Sequence, residues 1–148
     1  GYLEQCRAMA QHALYSGAAL QKFKRLIESQ GGDPHFIDDP SLLPQALYQR
    51  EIKAPRDGYF ARMDAQSCGI AASILGAGRE RKEDAIDYGA GIRFYRKVGD
   101  LLQKGDVIAV FYANAPEKFK EAEEVFRGGL KIAKAPPPKR PMILGAAK

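Results

Sequence analysis

Two Gly-Asp dipeptides constrain this chain more than any other feature. Gly99-Asp100 and Gly105-Asp106 stand on either side of Leu101-Leu102 in the string KVGDLLQKGD. Glycine supplies the positive φ that tight turns need, and aspartate bonds back onto nearby backbone N–H groups, so each dipeptide marks a sharp reversal. Only a very short strand fits between them, and the chain must fold over itself in a compact sandwich. The run that follows, VIAVFY (Val107 to Tyr112), is apolar at every position, so the strand it forms has both faces covered.

Upstream, apolar residues recur at helical spacing. Leu3, Cys6, Met9, Ala10, Ala13 and Leu14 predict a helix over residues 2–15, with Glu4, Arg7 and Gln11 outward. Ser16-Gly17 then punctuates, and Ser16 is placed to N-cap a second helix whose stripe is Leu20, Phe23, Leu26 and Ile27. Gly31-Gly32 closes it, because glycine accepts the left-handed conformation of a C-terminal cap. With so short a joint, the two helices are expected to pack as a hairpin. Asp39-Pro40 begins a brief third turn that Pro44 stops.

From Leu47 the period changes. LYQREIKA and GYFARMDA alternate as half-buried strands do, with PRDG as the turn between them. Cys68, Ala71, Ala72 and Leu75 make a short helix of small residues ending at Gly76, and the polar, glycine-punctuated GAGRERKEDAID is a loop. Ile92, Phe94 and Val98 begin another strand. Pro116 opens a last helix with Phe119, Ala122, Val125 and Phe126 inward, closed by Gly128-Gly129. LKIA is a final strand, and the prolines of APPPKRP favour an extended tail. Helices first, then strands interleaved with helices, argue for the α+β class. The expected divisions are a helical segment over 1–46, a strand-rich domain over 47–133 and a Pro-rich tail over 134–148.

A chain of 148 residues with 45% hydrophobic and 28% charged residues is composed like a globular protein and is long enough to bury a core. No apolar run approaches the ~20 residues that span a bilayer, so no membrane partner is expected. Cys6 and Cys68 lie far apart and fit neither metal-ligand nor redox spacing; reduced, mostly buried thiols in a cytoplasmic protein are the plain expectation. The net charge of +5 comes partly from Lys131, Lys134, Lys139 and Arg140. These residues do not alternate with stacking aromatics, which argues against a nucleic-acid groove.

No nucleophile and base assemble from the sequence. His12 falls on the polar edge of the first helix and His35 after a turn, and Asp38-Asp39 before a proline read as caps. Glu121, Glu123 and Glu124 form a solvated helix face, and no Gly-rich loop precedes a Lys-Ser or Lys-Thr pair. The loop LGAGR is the one candidate functional element. Gly76, Ala77 and Gly78 give an approachable backbone, and Arg79 carries a fork of donors that suits phosphate or carboxylate. The competing reading is that Arg79 pairs with Asp84 or Asp87 and only orders its own loop.

The blocks SGAALQKFKRLIESQGGD, APRDG, LGAGR, KEDAID and VGDLLQKGDVIA, in that order, resemble the C-terminal part of the pyrimidine-nucleoside phosphorylases, including thymidine phosphorylase. The Gly-Asp pair also resembles the hammerhead of biotinyl and lipoyl carrier domains. Those domains carry their modified lysine in MKM or DKA, and neither string occurs here, which argues against a covalent carrier role.

The resemblance implies an α/β-hammerhead-like mixed sheet subdomain behind helices that pack on a larger α/β domain. It implies reversible phosphorolysis by the parent enzyme, pyrimidine nucleoside plus phosphate giving free base and pentose 1-phosphate, with phosphate as co-substrate and no cofactor. The family's Gly/Ser/Thr- and lysine-bearing phosphate motif and its base-binding Arg/Ser/Lys set are missing from Gly1 to Lys148. The resemblance therefore assigns no catalytic, cofactor or metal residue here. It implies a C-terminal fragment, inactive alone, in which Gly76, Ala77, Gly78 and Arg79 help close a cleft. Its partners would be the rest of the parent chain, with its phosphate- and nucleoside-binding domains, in a homodimer. The alternative is a stand-alone hammerhead module that binds a protein or carries a group.

Overall fold

The computed structural model of the protein describes residues 1–79 and 81–139. It divides into two compact units, Gly1–Leu43 and a second that begins at Pro44.

The first unit holds helices α1 (Tyr2–Tyr15) and α2 (Ala18–Ser29) and two single-turn 3-10 segments, Pro34–Ile37 and Pro40–Leu42. Ser16 ends α1 rather than starting α2, whose N-cap is Gly17 at φ +80°. A left-handed residue fits that joint, and serine does not enter such a conformation cheaply. Helix α2 ends as the Gly-Gly pair predicts: Gly32 N–H donates to the Ile27 carbonyl and Gly31 N–H to that of Glu28. Neither helix buries a residue. The packed hairpin is thus not seen as a burying contact, and Leu3, Met9 and Leu14 remain exposed, as does Cys6.

The second unit contains β1 (Tyr48–Lys53), β2 (Gly58–Met63), α3 (Ala65–Ala72), β3 (Gly91–Phe94), β4 (Leu101–Leu102), β5 (Val107–Ala113), α4 (Phe119–Gly129) and β6 (Leu130–Ala133). The α+β expectation holds. The strands form two three-stranded sheets in the orders β1-β5-β3 and β4-β2-β6, with every pairing antiparallel. In the first sheet Tyr48 lies opposite Ala113 and Gly91 opposite Tyr112. Val98, expected on the third strand, lies beyond its end.

PRDG is not a hairpin turn, because β1 and β2 belong to different sheets. The two Gly-Asp reversals explain why. Each is a β-turn with glycine in its third place at positive φ, +105° for Gly99 and +94° for Gly105, as type II geometry requires. Asp100 Oδ2 accepts from Lys97 N–H at 2.7 Å, and Asp106 Oδ2 from Gln103 N–H at 3.1 Å. The turns then capture the two strands separately. Gly105 N–H donates to the Ala54 carbonyl at 2.9 Å, and Gly99 N–H donates to that of Phe60 at 2.8 Å. PRDG carries the chain from one sheet to the other.

Two apolar clusters result. Ile52, Ala71, Leu75, Ala109, Phe111, Phe119, Ala122 and Phe126 fill the space between the first sheet and helices α3 and α4. Ala54, Phe60, Leu102, Ile108 and Ile132 fill the second cluster. Strand β5 sends Ile108 to one and Ala109, Phe111 and Ala113 to the other, which is why its sequence has no polar position. Full burial of Phe60, Phe111 and Phe126 stabilises the unit by about 1.5–3 kcal/mol each.

Candidate functional site

The loop LGAGR is positioned by α3. Asp64 caps that helix: its Oδ2 accepts from Ser67 N–H and from Ser67 Oγ, each at 2.9 Å. The Ser67 backbone N–H, followed by its hydroxyl, holds the Asp64 carboxyl below the usual carboxylate range. Cys68, one turn on, is half-buried, and that burial pushes its thiol upward, with the Asp64 charge adding to the effect. The helix widens into a π-type turn over Ser73–Ala77 that buries Ile74 and Leu75, and it breaks at Gly76.

The two glycines of the loop are required for different reasons. Gly76 has φ +116°, and a Cβ there would lie 3.3 Å from Asp87 Cβ and 3.5 Å from Ala90 Cβ. Gly78 is extended, but a Cβ would run into the Ser73 side chain. Ala77 is half-buried between them and Arg79 is exposed.

Asp87, in the KEDAID block, holds the loop. Its N–H donates to the Gly76 carbonyl at 2.9 Å. Its Oδ1 accepts from Gly89 N–H at 3.0 Å, and its Oδ2 accepts from Asn114 Nδ2 at 2.8 Å. Asn114 Oδ1 in turn accepts from Leu47 N–H at 2.8 Å. Gly89 packs tightly on the same lead-in segment, since a Cβ there would lie 2.9 Å from Ala46 N. The anticipated Arg79 pairing is not formed: among the described residues Arg79 makes no ion pair with Asp84 or Asp87. Asp84 Oδ2 accepts from Arg81 N–H at 2.8 Å instead. The Asp87–Asn114 contact was not anticipated, and its one sequence signal is an asparagine ending the apolar strand just before Ala115-Pro116.

A polar cleft of about 420 Å³ lies under this loop, lined by Ser73, Gly76, Gly78, Asp84, Lys118 and Glu121. Larger hollows lie elsewhere. One of about 730 Å³ runs along Ala61–Met63, Val98, Gly99 and Pro137–Lys139, with Arg62 and Lys139 its ionisable lining residues. Another, of about 700 Å³, lies against Gln49, Glu51, Tyr95, Arg96 and Tyr112. Among the described residues, no serine or tyrosine lining these three is hydrogen-bonded to a histidine or a carboxylate.

The remaining candidates stay apart. His12 sits in the last turn of α1. His35 is bonded to Asp33, which caps the first 3-10 turn and was not anticipated as a cap. Asp39 caps the second, as expected, but Asp38 forms an ion pair with Lys24 at 2.6 Å instead of capping. Among the described residues no three His, Cys, Asp or Glu side chains gather to hold a metal ion, and no helix is long and apolar enough to cross a membrane. Lys131, Lys134 and Lys139 are described; Arg140 lies outside the described residues.

Residues 59–133 match the family model described as the pyrimidine nucleoside phosphorylase C-terminal domain, about half of the chain. The pyrimidine-nucleoside phosphorylase of Bacillus subtilis (strain 168) is 45% identical over 112 residues, 76% of this chain and 26% of that protein. That of Geobacillus stearothermophilus is 40% identical over 134 residues, 90% of this chain and 31% of that protein. One from Staphylococcus epidermidis is 44% identical over 115 residues, covering 78% and 27%. The chain thus spans between a quarter and a third of the length of these relatives. By the extent of the family match and the identity across it, the chain belongs to the pyrimidine nucleoside phosphorylase C-terminal domain family.

Proposed function

We propose that this chain is the supporting and cleft-closing lobe of an enzyme that cleaves pyrimidine nucleosides with phosphate, giving free base and pentose 1-phosphate. What supports the reading most is that the match falls on a C-terminal domain, over 26–31% of relatives named for that reaction. Phosphorolysis requires an anionic nucleophile held beside a sugar carbon that gains positive character as the base leaves. The charged groups for that task are assigned to polypeptide beyond these residues. The lobe's part is to align the reactants and keep water from competing. Its carriers would be Gly76, Ala77, Gly78 and Arg79, with Arg79 exposed on the loop as a fork of donors. On this reading phosphate is a co-substrate and no cofactor is used. The whole enzyme is a cytoplasmic homodimer that binds neither nucleic acid nor membrane.

The test is an assay of base release from thymidine and uridine in phosphate buffer, run on this chain and on the full-length gene product. The expected result is release by the full-length enzyme and none above background by the 148-residue chain. Turnover by the chain alone would sink the supporting-lobe reading.

A further inference from the structure

The bonds around Asp87 join parts of the chain that are distant in sequence. Through Asn114, its carboxylate reaches the backbone of Leu47, 67 residues before Asn114, and through its own N–H it holds the Gly76 carbonyl where the backbone turns left-handed. Both carboxylate oxygens are occupied, one by Gly89 N–H and one by Asn114 Nδ2. The Asn114 amide is used at both ends, as donor to Asp87 and as acceptor from Leu47. Four segments therefore meet at one pair of residues, three through their side chains and the LGAGR turn through the Asp87 backbone: the lead-in to β1, the 87–90 turn, the end of β5 and the LGAGR turn.

We propose that Asp87 and Asn114 are a positioning pair that ties the LGAGR loop to the lead-in segment at Ala46 and Leu47, so that loop and lead-in move as one body. Neither residue touches a reacting group. They act through the loop, and that use in closure rests on the lobe reading above. A charge-assisted bond to a carboxylate is among the stronger neutral-to-ion contacts, so its loss should be readable. The polarity of the pair can also be reversed. Asp at 114 still accepts from Leu47 N–H, and Asn at 87 still accepts from Gly89 N–H while donating to the new carboxylate.

The experiment is amide hydrogen exchange on this chain with Asn114→Asp and with the reciprocal double change Asp87→Asn plus Asn114→Asp. Asn114→Asp sets two carboxylates face to face, and exchange should rise about tenfold together at Gly76–Arg79 and at Ala46–Leu47. The double change should return both segments close to the parent values. Faster exchange at Leu47 with none at Gly76–Arg79, or a double change that fails to restore protection, overturns the pair. Should Asn114→Asp fail to fold, a folded and protected double change supports the pair, and an unfolded one overturns it. The same changes in the full-length enzyme should lower kcat with little effect on KM, and the double change should recover it; equal loss without recovery removes the positioning role. If the unchanged full-length enzyme releases no base, the lobe reading falls and the exchange result stands.

Discussion

At Asp64 a carboxylate accepts from both donors of Ser67, while its own N–H donates to the Gly129 carbonyl at 3.0 Å. One residue thus starts α3 and anchors the end of α4. Its folded-state pKa is depressed, so the stability it contributes is complete above its unfolded value and is lost as pH falls through the folded one. Asp33 and Asp39 are depressed in the same direction by their own caps, so the informative quantity is a difference. Asp64→Asn keeps an acceptor but cannot titrate. Thermal melts from pH 7 to pH 3 should show a smaller fall in Tm for Asp64→Asn than for the parent chain; equal slopes would contradict the assignment. At this scale sequence reading works where the capping residue stands directly before its turn, as at Asp39. It misplaces Ser16 and Asp38, because residue type alone does not distinguish a cap from a helix end or from a partner for Lys24. Asp87 was legible as part of a motif, but not its bond to Asn114, since the two stand 27 positions apart and meet only when the sheet forms.

Helix α4 carries Phe126 into the centre of the first cluster. Its ring meets Phe111 edge-on at 5.2 Å and leans on Phe94 at 5.7 Å, while Glu123 and Arg127 pair on the outer side at 2.7 Å. The helix is held mainly by this ring and its neighbours Phe119 and Ala122, the residues it buries. Phe126→Ala leaves a cavity among aromatic rings that cannot collapse easily and should cost about 3–5 kcal/mol of unfolding free energy. Urea denaturation followed by tyrosine fluorescence checks it, and a change below about 1 kcal/mol would place the core elsewhere. Elements of this kind were legible because their signals are local: an apolar stripe at helical spacing, a Gly-Gly stop, a strand without polar positions. Strand partnership was not. PRDG has the composition of a hairpin turn, and only the competing bonds from Gly99 and Gly105 to Phe60 and Ala54 send its two flanking strands into separate sheets.

The two units differ in what holds them. Residues of the second make two shared apolar clusters, whereas α1 and α2 bury no residue, and isolated helices of 12 to 14 residues are marginal in water. Limited trypsin digestion of the chain should therefore cut first at Arg7, Lys22 or Arg25 and leave a resistant product that begins no later than Leu26 and keeps the whole second unit. Early cleavage at Lys53 or Arg62 instead would show that the strand-rich unit is the weaker one. Within that unit, β5 works as a shared wall between two rooms: neither side can be emptied without exposing the plaster of the other. An intermediate that keeps one apolar compartment and dissolves its neighbour has no structural basis, so this half of the chain is built to open all at once or not at all.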